Sequence, residues 1–301
     1  MSTKKRNIFT KILIWRYKFI SERQFILVLS ILVGFLAGLG TVLLKYLTLF
    51  IQSVLEGGFI KNYYYSLYFI FPIIGVWLVY LIKKNFIKKE IGHGISTTLY
   101  SISKRSGIIE RYKMFASLIV APITVGFGGS VGLQGPAVST GAALGSNVAR
   151  LFHMNAKTRM LLIGCATAGA MSSMFKAPVA AIVFAIEIFS LDLVFASLVP
   201  LLLASVAAVI TSYFFRGTDV LFSFELLDAW RVKDIVFYVL LGLATGIASV
   251  YFSKMYFLIT RFFSRFSNAY ITIGIAAISI GFMLYLFPPF YGEGSGLIYN
   301  L

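Results

Sequence analysis

The sequence predicts an all-α membrane protein that crosses the bilayer several times and contains interrupted helices. Hydrophobic residues make up 59% of the chain and charged residues 13%, with a mean hydropathy of +0.88. Soluble domains are roughly 45–50% apolar. Several uncharged runs are long enough to cross a hydrocarbon core of about 30 Å as helices. A glycine-rich break, Gly126–Pro136, interrupts an uncharged stretch from Met114 to Ala149. Irregular backbone at that depth must be buried in protein or line a cavity, so the break predicts a binding site.

The positive charge of the chain follows the predicted spans. The net charge is +16, and basic residues crowd residues 1–23 and the loop 83–89. Basic residues that flank apolar spans are typical of cytoplasmic loops. A nucleic-acid groove would combine them with stacking aromatic side chains. We therefore predict a cytoplasmic N-terminal segment over 1–23, a plasma-membrane location and no nucleic-acid partner.

Composition predicts neither a metal nor a cofactor. Cys165 is the single cysteine, and His93 and His153 are the only histidines. A disulfide within the chain is impossible, and the cysteine and histidine pairs of a zinc site are absent.

Long spans are predicted wherever uncharged runs lie between basic or aromatic boundaries. Within the first, Gly34 and Gly38 form a small face that favours close helix packing. The stretch Gly92–Ser103 is too short to cross and predicts a half-crossing helix. The predicted spans are Phe25–Leu44, Ser66–Ile82, Ile235–Ser253 and Ser267–Leu286, and Met160–Phe175, Val179–Phe189 and Val194–Phe215 are predicted as further apolar segments.

The glycine-rich break predicts a helix that restarts inside the membrane. Proline is favoured at the first helical position because its missing N–H would be unpaired there. We therefore predict a helix over Pro136–Arg150, whose many small residues allow tight packing.

The chain contains a weak internal repeat. Two long spans followed by a Gly-x-Gly turn occur at 25–96 and again at 235–297, a pattern typical of transporters. Because the second copy stops where the first is only beginning, we expect the carboxyl-terminal half to be missing.

A helix that begins inside the membrane is suited to bind an anion. Its first N–H groups lack partners within the helix, and its dipole places a partial positive charge there. Two such starts are predicted, at Gly92–Ser96 and Gly132–Pro136, and neither turn holds a lysine or arginine. The alternative is that both turns are only buried helix connections.

Other chemistries lack their sequence signatures. The phosphate-binding pattern Gly-x-x-x-x-Gly-Lys-Ser/Thr is absent. Glu187 is the single carboxylate between Met114 and Ser190, and no nucleophile and base stand beside it, so an enzyme is not predicted. A carboxylate in an apolar helix is by default functional; alternatively, Glu187 accepts a hydrogen bond from a neighbouring helix start.

These motifs, in this order and spacing, resemble the CLC family of chloride channels and chloride/proton antiporters. The resemblance rests on Gly92–Ser96, Gly126–Arg150 and Phe175–Glu187, and runs from about Phe25 to Leu301. It implies an all-helical fold of two inverted halves and a homodimer with one anion path in each subunit. It further implies that residues 24–216 form the first half, and 217–301 a connection and the first two long helices of the second.

Departures from the family pattern indicate uncoupled transport. Gln134 stands where the family has the glutamate that plugs the outer path and carries the proton. An amide cannot ionise near neutral pH. Leu133 replaces the basic neighbour of that glutamate. Glu187 matches the first of the family's paired inner acids, but Ile188 occupies the second place, where antiporters have their inner proton-transfer acid.

His93 replaces the family's serine whose hydroxyl faces the central anion. A protonated imidazole there would raise conduction as cytoplasmic pH falls through about 6.5. The alternative is that His93 points into the protein.

The sequence therefore predicts passive conduction of chloride or a similar small anion. Two alternatives remain, a chloride/proton antiporter and a non-conducting membrane scaffold or fragment. The predicted anion-binding residues are His93, Gly94, Ile95, Ser96, Gly132, Leu133, Gln134, Gly135, Pro136 and Ala137, with Glu187 and Ile188 on the inner side.

Overall fold

The chain folds into helices joined by short turns. The computed structural model describes residues 20–56, 64–89, 92, 94–189, 195–217 and 231–294, and within these ranges it contains no β-strand. This confirms the all-α class. The helices are α1 Glu22–Glu56, α2 Tyr64–Ile82, α3 Ile95–Arg105, α4 Lys113–Gly126, α5 Gln134–Leu151, α6 Ala156–Phe175, α7 Pro178–Phe189, α8 Phe195–Arg216, α9 Ile235–Phe263 and α10 Ala269–Leu286, with a π-helical turn at Lys83–Ile87 and 3₁₀ turns at Val232–Asp234 and Pro288–Phe290.

Five helices in the described ranges are long and apolar enough to cross a membrane. They are α1, α2 with the turn that follows it, α8, α9 with the 3₁₀ turn that precedes it, and α10. The helices α3, α4 and α7 have 11, 14 and 12 residues, fewer than the roughly 20 that a full crossing needs. The prediction of a multi-pass helical fold is confirmed, and α3 has the short length predicted for a half-crossing helix.

Helix α1 packs against α8 through its glycines. A Cβ atom on Gly34 would lie 2.2 Å from the carbonyl oxygen of Ala204, and one on Gly38 would lie 3.0 Å from the Cα of Ala208. Such distances leave no room for a side chain, so the small face predicted in the first span is the contact between these helices.

Helix α5 packs equally closely against α6. A Cβ on Gly145 would lie 2.4 Å from the carbonyl oxygen of Leu162, and one on Gly141 would lie 2.8 Å from that of Ala166. Buried Leu133, Ala137 and Leu162 join one hydrophobic cluster with residues of α1 and α4. The small residues of α5 thus hold this helix at the centre of the described fold.

Buried serines connect the central helices by hydrogen bonds to main-chain carbonyls. The Ser172 hydroxyl donates to the Ser205 carbonyl at 2.9 Å, and the Ser212 hydroxyl donates to the Ser173 carbonyl at 2.9 Å. Helices α6 and α8 are joined by both bonds. Polar contacts of this kind add to van der Waals packing where no water competes.

Helix α10 packs on α2, whereas α9 stands apart. A Cβ on Gly281 would lie 2.5 Å from the carbonyl oxygen of Phe69. No residue of α9 is buried by the described part of the chain. The central bundle that positions the candidate site is therefore built from α1–α8, and Gly75 of α2 lies against Phe127 of the break.

Candidate functional site

The turn before α3 contains a glycine at the helix start in a conformation that other residues adopt only with strain. Gly94 is the N-cap with φ 58° and ψ −111°, and no side chain caps the helix. The Thr98 N–H donates to the Gly94 carbonyl at 3.3 Å. The N–H groups of Ile95 and Ser96 precede that bond and have no hydrogen-bond partner among the described residues. Ser96 is exposed and Ile95 half-buried, so this helix start has two amides without a described partner.

The glycine-rich break ends at the start of α5. Helix α5 begins at Gln134, two residues earlier than predicted, so Pro136 stands in the first turn and not at its first position. A proline is tolerated there because the N–H groups of the first turn have no partner within the helix. Leu133 is the N-cap without a side-chain hydrogen bond.

The break leaves several amides unbonded. The Ala137 N–H donates to the Leu133 carbonyl at 3.0 Å, and proline has no N–H. The prediction that the amides of Pro136 and Ala137 bind the anion is therefore wrong: Pro136 has no N–H, and the N–H of Ala137 is bonded within the helix. No described acceptor takes the N–H groups of residues 132–135. A Cβ on Gly132 or Gly135 would meet nothing within 4 Å, so open space lies in front of this turn.

The two helix starts touch each other. A Cβ on Gly94 would lie 3.2 Å from the Gly135 carbonyl oxygen and 3.3 Å from the Gly135 Cα. The structure thus places side by side two turns that are separated by about forty residues in the sequence. Two helix N-termini repel each other through their partial positive charges, and an anion beside both would stabilise the arrangement.

The side chains predicted for this turn divide between core and solvent. Leu133 is 1% exposed and packs in the cluster shared by α1, α4 and α6. Gln134 is exposed at the helix start. The side-chain amide of Gln134 is therefore exposed at the position where the CLC family has a carboxyl group. The Leu133 side chain belongs to the core.

Ile188 and Glu187 lie on different faces of α7. Ile188 packs with Ile95 and Val138 in one hydrophobic cluster, which joins α7 to the two helix starts. Glu187 is exposed, and no described residue makes a hydrogen bond or ion pair with its carboxylate. The alternative that Glu187 accepts a hydrogen bond from a neighbouring helix start is not met by the described residues. His93 lies outside the described residues, and its predicted role stays a prediction.

Sequence reasoning missed a buried cation beside the break. Lys45 is only 5% exposed, and its charged neighbours are Glu293, Arg216 and Lys176. No described residue makes a hydrogen bond or ion pair with its ammonium group. The first span is predicted to stop at Leu44 because the uncharged run ends at Lys45. The apolar residues that follow Lys45 could have indicated that the helix continues.

Helix α1 carries Lys45 along the break. Gly40 lies against Thr140 of α5, and Ile51 lies against Gly126 at the beginning of the break. Lys45 stands between these two contacts on the same helix. Lys45 therefore lies on the part of α1 that packs along α5 and the end of α4.

The second Gly-x-Gly turn packs on the first part of the break. The Tyr291 hydroxyl donates to the Gly126 carbonyl at 2.8 Å. The Tyr291 ring would lie 2.6 Å from a Cβ on Gly128, whose φ is 96°. Gly292 contacts Gln52 of α1. The turn at residues 291–294 thus holds the carboxyl end of α4 in place.

Removing the Tyr291 hydroxyl should loosen this contact. We expect Tyr291→Phe to lower the free energy of unfolding by about 1 kcal/mol, because the buried Gly126 carbonyl loses its donor. Thermal unfolding of the purified protein in detergent measures the effect. Tyr285→Phe is the matched control, since Tyr285 is 48% exposed and makes no described hydrogen bond. Equal melting temperatures for the two variants would contradict the prediction.

The fold and the site together define the class of the protein. It is a multi-pass helical membrane protein in which two glycine-rich helix starts lie in contact. The family described as Voltage gated chloride channel matches residues 74–301, more than half of the chain. The protein belongs to this family, and the resemblance to CLC proteins is confirmed.

Individual relatives agree with this family. The chain is 30% identical over 185 residues to Chloride channel protein CLC-f of Arabidopsis thaliana, a match that covers 60% of this chain and 22% of that protein. It is 29% identical over 184 residues to the H(+)/Cl(-) exchange transporter ClcA of Vibrio cholerae, covering 58% of this chain and 39% of the relative. The chain thus spans well under two thirds of these relatives.

A solved structure supports the fold. The crystal structure of a CLC-type fluoride/proton antiporter superposes with a TM-score of 0.76 at 23% sequence identity, covering 91% of this chain and 69% of that one. The predicted CLC-type helical fold is therefore confirmed.

Proposed function

We propose that this protein conducts chloride or a similar small anion passively across the membrane. The observation that carries the proposal is the contact between the two helix starts, Gly94 against Gly135. The amides of Ile95, Ser96 and residues 132–135 bind the anion, and open space in front of Gly132 and Gly135 admits it. Backbone amides without a fixed cation in the turn bind an anion weakly enough for release.

The absence of proton coupling follows from two side chains. Gln134 carries an amide at the helix start where the family has its proton-carrying glutamate, and an amide does not ionise near neutral pH. Ile188 packs in a hydrophobic cluster, where a proton-transferring acid would be expected by the resemblance. Of the family's two paired inner acids, only the first, Glu187, is present in this sequence.

Proton-coupled exchange is the second candidate. A Vibrio cholerae relative is named an H(+)/Cl(-) exchange transporter, so membership of the family is compatible with either mode. The third candidate is a membrane scaffold that does not conduct. We also propose, from the family resemblance, a homodimer in the plasma membrane; the basic residues of 1–23 and 83–89 support a cytoplasmic N-terminus.

Paired flux measurements separate these functions. We expect vesicles containing the purified protein to release chloride, measured with a chloride electrode, without moving protons uphill, measured with an internal pH dye. Empty vesicles supply the baseline and the Vibrio cholerae exchange transporter supplies the coupled reference. If chloride drives protons uphill, the proposal of passive conduction is wrong and the protein is an exchanger. If chloride release equals that of empty vesicles, the protein does not conduct, and the membrane scaffold is the remaining candidate function.

A further inference from the structure

A basic cleft lies at the end of α2, apart from the two helix starts. It encloses about 810 Å³ between the π-helical turn Lys83–Ile87 and the turn that joins α9 to α10. Four lysines line it, Lys83, Lys84, Lys88 and Lys89. Among its described lining residues there is no carboxylate. Four positive charges that share one cleft repel one another, so the cleft is suited to a ligand with negative charge.

The π-helical turn places these lysines around the cleft. The Lys88 N–H donates to the Lys83 carbonyl at 2.8 Å, an i to i+5 bond that closes the turn. Lys84 Nζ donates to the Tyr270 hydroxyl at 3.1 Å. Lys89 Nζ lies 5.3 Å from the centre of the Tyr112 ring. All four lysines are nevertheless exposed, so their ammonium groups remain accessible to a ligand.

Aromatic side chains place the cleft at the boundary between membrane and water. Trp77, Tyr80 and Tyr270 form a ring cluster, with ring centres 5.9 Å apart for Trp77 and Tyr80 and 5.4 Å apart for Tyr80 and Tyr270. Tryptophan and tyrosine concentrate at the level of the lipid headgroups. The cleft also stands where α2 ends and α10 begins, two helices that are able to span the bilayer.

The walls of the cleft complement a lipid as well as a charge. Phe263, Phe266 and Ile273 line it beside the lysines. Ammonium groups next to an apolar surface fit a molecule that joins a phosphate to a hydrocarbon chain. A soluble anion would use the lysines alone.

We propose that this cleft binds the phosphate headgroup of an anionic phospholipid, with an acyl chain against the apolar wall. Basic pockets between membrane helices at the level of the headgroups bind anionic lipids in this way. The proposal is independent of anion conduction, because none of its residues contributes to the two helix starts.

Native mass spectrometry of the delipidated protein tests the proposal. We expect dioleoyl-phosphatidylglycerol to bind at least about tenfold more tightly than dioleoyl-phosphatidylcholine, since both carry a phosphate but only the first has a net negative charge. Substituting Gln for Lys83, Lys84, Lys88 and Lys89 together should remove this preference. The control substitutes Gln for Lys104, Lys157, Lys233 and Lys254, which are all exposed, and should retain it.

Three results of the lipid measurements would overturn the proposal. They are equal binding of the two lipids by the unaltered protein, an unchanged preference in the variant of the cleft, and an equal loss in both four-lysine variants. A competition experiment with inorganic phosphate tests for a soluble ligand. Full displacement of phosphatidylglycerol by millimolar phosphate would assign the cleft to free phosphate. The double variant K84Q/K89Q, with circular dichroism to check helix content, provides the same comparison if the fourfold variant does not fold.

Discussion

Replacing Gln134 by glutamate is expected to make chloride flux depend on pH. Gln134 is exposed at the first position of α5, next to the glycine that touches the start of α3. A glutamate side chain has a pKa of about 4.3 in peptides, so Gln134→Glu carries a negative charge at pH 7. A helix start favours that charge, and the carboxylate then competes with the conducted anion.

The sign of the pH dependence follows from this competition. The introduced carboxyl is ionised above its pKa and neutral below it. We expect flux of Gln134→Glu at pH 7 to fall about tenfold, equivalent to roughly 1.4 kcal/mol of competition. At pH 4 we expect a partial recovery, because the helix start keeps part of the carboxyl ionised slightly below its usual pKa. The unaltered protein, measured at the same two pH values, gives the change that arises from other groups such as His93, and the recovery of Gln134→Glu should exceed it. Chloride release from vesicles at both pH values measures the effect.

Gln24→Glu is the matched control for this change. Gln24 also stands in the first turn of a helix, α1, where it caps Ser21, and it lies far along α1 from the contacts with the break. Its substitution introduces the same charge and should leave the flux unchanged at both pH values. If the ratio of flux at pH 4 to flux at pH 7 is the same in Gln134→Glu as in the unaltered protein, the assignment of the break as the anion path is contradicted. Proton coupling should stay absent in Gln134→Glu because Ile188 is unchanged.

Replacing Gly94 by alanine should separate the two helix starts. Gly94 has φ 58° and ψ −111°, which a residue with a Cβ adopts only at a cost of about 1–3 kcal/mol. The added methyl would also lie 3.2 Å from the Gly135 carbonyl oxygen, closer than most such contacts. We expect a lower melting temperature and a loss of at least about tenfold in chloride flux, because a displacement of about 1 Å already disrupts a positioned site.

Two further glycines make this test specific. Gly246 lies within α9, where an added methyl would meet no other atom within 4 Å, so Gly246→Ala should raise helix stability by about 1 kcal/mol and leave flux unchanged. Gly132→Ala places a methyl in the open space of the break and should reduce flux while the melting temperature stays close to that of the unaltered protein. Normal flux in both Gly94→Ala and Gly132→Ala would show that the anion passes elsewhere.

Local features of the sequence are sufficient to predict most helices. Uncharged runs and their flanking basic residues place α2, α8 and α10 within a few residues of their observed bounds. The small faces at Gly34, Gly38, Gly141 and Gly145 predict close helix packing, because only glycine leaves space for a neighbouring backbone. Where a charge interrupts an apolar helix, the same reasoning fails: Lys45 ends the predicted first span, whereas the helix continues to Glu56.

The candidate site is predictable only in its parts. Each glycine-rich turn predicts an anion-binding helix start through its unpaired amides, and the chemistry of Gln134 and Ile188 favours the proposal of uncoupled transport. Nothing local shows that the Tyr291 turn would pack on the break, since that contact depends on how α10 is placed against α2.

The sequence by itself determined the class of the protein and the order of its interrupted helices, and it predicts the kind of ligand that their starts favour. These properties depend on hydropathy and on backbone chemistry, which are local. Only the tertiary structure decided that Gly94 touches Gly135, that Lys45 is buried beside the break and that Leu133 faces the core. Those features arise from packing among α1, α3, α5 and α6, whose contacting residues are far apart in the chain.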